Sequence, residues 1–138
     1  MAKRRRGARH AGARSRPSRH RPFESLVELA LASIPEPVAS ALDEVAIVID
    51  DEPTPDQRRE NEIADDETLY GLYEGVPRTE WGADWAPIPN RITLFRLPLE
   101  ADFADPDELA DEVWATVVHE LAHHLGIDDA RLEELGLD

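Results

Sequence analysis

The run His119-Glu120-Leu121-Ala122-His123 places two imidazoles four residues apart, with a carboxylate directly after the first. On an α-helix four residues make one turn plus about 40°. Both rings therefore project the same way and can grip one ion, while Glu120 stands beside them, close enough to act on a water held by that ion. The chemistry on offer is hydrolysis by a metal-activated water with a carboxylate as general base. The chain has no cysteine, so the ion must be held by nitrogen and oxygen, and disulfides, thiolate chemistry and Cys-based zinc fingers are excluded. Two imidazoles fall short of the three protein ligands that catalytic zinc favours. The spacing offers a third: Gly126 lets the chain turn sharply, and Asp129, six residues after His123, can fold back with a hard oxygen ligand. The full pattern reads HExxHxxGxxD and predicts one zinc ion on His119, His123 and Asp129. Asp128 is the local competitor, and Glu133 and Glu134 are more distant ones.

These residues need a helix to hold them, and the sequence marks one. Asp105 suits the cap, Pro106 the first helical position, and Glu108 completes an Asp-x-x-Glu capping box. Gly126 supplies the stop. At 100° per residue, Leu109, Val113, Trp114, Val117, Val118, Leu121 and Leu125 form one broad apolar face for a sheet, and His119 and His123 lie nearly opposite its centre. His124 falls within the apolar stripe and reads as a hydrogen-bonded, partly buried histidine rather than a ligand.

Further elements follow from periodicity. Phe23, Leu26, Val27, Ala30, Leu31 and Ile34 recur at three and four residues, predicting an amphipathic helix that Pro35 stops, with a short helical turn near Val38 to Leu42. Val45 to Ile49 reads as a buried strand, residues 53–67 as an acidic surface loop kept irregular by Pro53 and Pro55, and Leu69 to Glu74 as a second strand. Residues 77–90, with Trp81 and Trp85, form a long connection that either walls the cleft or only packs. Arg91 to Leu97 alternates as a third strand, one that could sit at a sheet edge and align a peptide by backbone pairing. A last helix spans Ala130 to Leu135. Together these give an α/β fold of the α+β kind: a small sheet of about three or more strands packed against the motif helix and additional helices.

Charge divides the chain in two. Lys3, Arg4, Arg5, Arg6, Arg9, Arg14, Arg16, Arg19 and Arg21 precede Pro22 with no acid among them, and all 30 carboxylates follow, giving a net charge of −15. Residues 1–22 lack the apolar content to offset ordering and read as a disordered basic arm on a single domain, 23–138. Such an arm could neutralise phosphates, but the acidic body would repel nucleic acid, so contact with nucleic acid is expected only through residues 1–22. No apolar run approaches the roughly 18 residues of a membrane span, and the N-terminus fits no standard export signal. The expectation is a soluble, cytoplasmic protein without membrane partners.

Beyond the motif, Leu72-Tyr73-Glu74-Gly75-Val76-Pro77, Asn90-Arg91-Ile92-Thr93-Leu94-Phe95, the run from Val117 to Asp129, and Leu132 to Gly136 resemble the small bacterial zincin-like metallopeptidases, a minimal zincin fold, over about residues 23–136. The resemblance implies a compact zincin with His119, His123 and Asp129 as zinc ligands, Glu120 as base, and a peptide or protein as substrate. The longer metzincins end a similar pattern in histidine and add a methionine turn. This chain has Asp129, and its only methionine is Met1, so it is at most a reduced relative. Two rival readings remain: a zinc-holding regulatory or scaffold protein without turnover, and a nucleic-acid-associated protein acting through its basic arm.

Overall fold

The computed structural model of the chain describes residues 2–5, 20–75 and 90–137. Helix α1 (His20–Ala32) buries Phe23, Val27 and Ala30, the positions that its three- and four-residue apolar spacing marks. It stops short of Pro35 because Ser33 and Ile34 turn back onto its last carbonyls; the Ser33 hydroxyl also donates to the Ala30 carbonyl at 2.8 Å. Ile34 is still buried. A 3-10 turn, Ala39–Asp43, leads into strand β2 (Val45–Asp50).

The acidic stretch expected as irregular loop holds helix α2 (Pro55–Glu60). Pro55 occupies the first helical turn, where a missing N–H costs nothing. Thr54 and Gln57 cap each other: the Gln57 N–H donates to Thr54 Oγ1 at 3.0 Å and the Thr54 N–H to Gln57 Oε1 at 2.9 Å. This capping box outweighs the two prolines. Strand β3 (Glu67–Glu74) follows; the connection with Trp81 and Trp85 lies outside the described residues.

Strand β4 (Asn90–Phe95) ends earlier than its alternation suggests, because Arg96 and Leu97 begin helix α3 (Arg96–Asp102). The Arg96 guanidinium is buried and donates to Asp51 Oδ1 at 2.8 Å and Glu100 Oε1 at 2.7 Å. Those two bonds need the turn into helix. Helices α4 (Pro106–Leu125) and α5 (Asp129–Glu134) complete the chain, so the fold is α+β.

Strands β2, β3 and β4 form a mixed sheet: β2 runs parallel to β4 and β3 antiparallel to it. β4 is therefore internal, and the expectation that it could lie at an edge fails; Ile92, Thr93, Leu94 and Phe95 are buried on both faces. Conversely, β2 lies at the outer edge and is only partly buried along most of its length. At the other edge Ala2–Arg5 forms β1, antiparallel to β3, with Ala2 opposite Gly71 and Arg5 opposite Glu67. Of the expected arm, residues 6–19 lie outside the described residues. Residues 2–5 join the sheet through backbone pairing, which needs no apolar side chains, and α1 already begins at His20.

Helix α4 packs against α1 and the sheet, with Leu109, Val113, Val117, Val118 and Leu121 in the core. The approach to β3 is close: a Cβ at Gly71 would lie 2.6 Å from Thr116 Cγ2. Gly71→Ala should therefore cost about 1–3 kcal/mol of stability by overpacking, and Thr116→Ser, which deletes the offending methyl, should recover most of it. Denaturant unfolding of the single and double variants checks this. No helix of the described residues is long and apolar enough to cross a membrane.

Candidate metal centre

The ends of α4 fix where its histidines point. Asp105 caps it, but by accepting from the Asp107 N–H at 2.8 Å rather than through a reciprocal box with Glu108. Pro106 begins the helix, and Asp107 and Glu108 lie in its first turn, where their charge suits its dipole; His123 and His124 lie in its last turn. Gly126 takes the left-handed conformation, φ 76°, and the Ile127 N–H donates to the Ala122 carbonyl at 2.8 Å. A side chain there would strain the backbone that folds the following residues back.

That reversal separates the two aspartates. Asp128 caps α5, accepting from the Arg131 N–H at 2.8 Å. Asp129, the next residue, turns to the histidines, with Oδ1 3.1 Å from His119 Nε2. His119 and His123 hold their rings 5.3 Å apart, centroid to centroid. One ligand atom from each of His119, His123 and Asp129 falls within 4.8 Å of the others, and this is the one such cluster among the described residues. Ligands around a tetrahedral zinc with bonds of about 2.0–2.1 Å stand roughly 3.3 Å apart, so the His119–Asp129 spacing already suits a shared ion. All three side chains reach solvent, which leaves room for a water and a substrate. Glu134 is engaged with Arg131 at 2.8 Å. A surface cleft beside the cluster is lined by His123, Gly126, Ile127, Asp128 and Asp129.

Glu120 differs sharply from its neighbours, being 0% exposed. Its Oε2 lies 3.6 Å from His123 Nδ1, too far for a hydrogen bond but beside the ring. It belongs to a feature that the apolar pattern conceals: Glu112, Thr116, Glu120 and His124, spaced by four, are all buried. The four-residue recurrence of polar types was the available signal. Thr116 meets Gly71 of β3, and His124 reaches Tyr73 of β3, so this polar stripe runs beneath β3 with Glu120 between the two contacts.

His124 is buried and hydrogen-bonded, more fully enclosed than its position suggests. Nε2 lies 2.7 Å from Glu44 Oε2 and Nδ1 2.9 Å from the Tyr73 hydroxyl. With Nε2–H donating to the carboxylate, Nδ1 accepts from Tyr73. The pair of bonds ties the last turn of α4 to β3 and to the entry of β2, and so fixes the rotation of the helix that carries the imidazoles. Tyr73→Phe removes the donor to a buried nitrogen and should cost about 1–3 kcal/mol, read as a lower midpoint in thermal or denaturant unfolding.

The family model described as zincin-like metallopeptidase matches residues 42–137. A search of curated proteins finds no match. Among solved structures, a conserved hypothetical protein from Thermus thermophilus is similar, at 25% identity and a TM-score of 0.49, covering 86% of this chain and 99% of that one.

Proposed function

Because the chain belongs to the zincin-like metallopeptidase family, we propose that it hydrolyses peptide bonds with one zinc ion held by His119, His123 and Asp129. The observation that carries this reading is the convergence of those three side chains, from two helices, within the reach of one ion. Zinc in such a site lowers the pKa of water to about 7 and polarises a carbonyl. Glu120, directly after the first imidazole, takes the proton of the attacking water and delivers it to the leaving amine. His124, Tyr73 and Glu44 hold the helix in the rotation that keeps His119 and His123 on the cleft. An extended peptide is positioned by backbone pairing, and β3, which crosses the motif helix at Gly71 and Tyr73, supplies the pairing edge wherever β1 does not occupy it.

One observation favours a second reading, that of a zinc-holding protein without turnover: Glu120 has no exposure at all, and a general base has to be reached. Incubating the zinc-loaded chain with a mixed peptide library separates the two. Hydrolysis that a chelator stops and added zinc restores is expected from a peptidase; bound zinc with no cleaved peptide would leave the non-catalytic reading.

A further inference from the structure

The feature that neither the motif nor the family accounts for is the basic N-terminus. The family match begins at residue 42, yet Ala2–Arg5, reading Ala-Lys-Arg-Arg, is paired to β3. Helical geometry gives its place beside α4. Viewed down α4 at 100° per residue, the stripe Glu112, Thr116, Glu120 and His124 faces β3. Val113, Val117 and Leu121 lie to one side of Glu120, by about 20–100°, in the core; His119 and His123 lie to the other side, by about 60–100°. The strand beyond β3 is β1, and β1 also lies against α4. It thus occupies the β3 edge next to the helix that carries the candidate metal centre.

Three observations bear on what this edge accepts. Thr116, buried beneath β3 at 2% exposure, has a hydroxyl without a hydrogen-bond partner. Glu112 and Glu120, one turn before and one turn after it, are buried carboxylates on the same stripe. The body carries 30 carboxylates, and the segment seated on the edge is cationic. We infer that the β3 edge beside α4 is a docking groove for extended, Lys/Arg-rich peptides, and that the chain's own Ala2–Arg5 is a resident competitor for it. This deepens the peptidase reading and rests on it for the link to catalysis. A tethered occupant acts at an effective concentration in the millimolar range, so a free peptide of micromolar affinity competes poorly until the strand is displaced.

Full-length chain carrying Lys3→Pro and Arg4→Pro tests the inference. N–H groups of adjacent residues in an antiparallel strand point to opposite sides, so this pair removes a ladder donor to β3 whichever residue provides it. The probe is a fluorescent octapeptide with the sequence of residues 1–8, compared with a version in which every Lys and Arg is Glu. Binding is read by polarisation, and hydrogen exchange is followed at Leu69 to Gly71. The double variant should bind the basic peptide at least about 10-fold more tightly than wild type, should bind the acidic version no better than wild type does, and should exchange faster at that edge. Equal binding of the basic peptide by wild type and variant, or equal gains for both peptides, would overturn the inference. Binding does not require turnover: if the affinity shift appears while no peptide is cleaved, the groove stands and the peptidase reading falls.

Discussion

His119→Ala is expected to strip the protein of zinc while leaving it folded. His119 is half-exposed at the cleft and is absent from the core, so its loss opens no cavity. It removes one of only two nitrogens in a ligand set of three. Altering a residue that merely supports a ligand weakens metal binding about 10- to 100-fold, and removal of the ligand itself should exceed that. Metal content after dialysis against a weak chelator reads the effect: wild type retains about one zinc per chain and the variant almost none. Asp129→Asn keeps the shape with a weaker donor and should fall between them, whereas Asp128→Asn, at the α5 cap, should retain the metal. Full occupancy in His119→Ala would show that the ion lies elsewhere.

Glu120→Gln should do the reverse. The residue is buried within the stripe under β3, and Gln preserves its volume and hydrogen-bonding reach but cannot take a proton. A positioned general base contributes about 10²–10⁴-fold, so hydrolysis should fall by that factor with zinc content unchanged. Cleavage at the wild-type rate would place the activity in another residue or another protein.

The parts of this fold that are legible in the sequence are those specified within a few residues. The helix from Pro106 to Gly126 is one, since cap, first-turn proline, apolar period and terminal glycine all lie along it. The convergence of His119, His123 and Asp129 is another, because one helical turn and one glycine-mediated reversal separate them. Spacing alone does not exclude Asp128 in favour of Asp129, since both fit; the choice turns on which one caps α5. Sheet order is hidden for a different reason. β2 pairs with β4 across a long stretch of chain, and alternation within β4 says nothing about whether a strand lies on each side of it. Residues 2–5 read as unstructured because they lack apolar side chains, and a strand held by backbone pairing does not need them. Apart from His124, the buried polar stripe on α4 escapes because Glu112, Thr116 and Glu120, each taken alone, resemble surface residues. Its period of four becomes informative only once β3 is known to lie over it.

Zinc-edge X-ray absorption on the zinc-loaded, full-length protein measures which side chains hold the ion. The expected spectrum shows imidazole scattering from two histidines with nitrogen and oxygen neighbours at about 2.0–2.2 Å, and Asp129→Asn changes the oxygen shell while the imidazole signal persists. A coordination shell of oxygen alone, without imidazole scattering, would contradict the assignment of the centre to His119, His123 and Asp129.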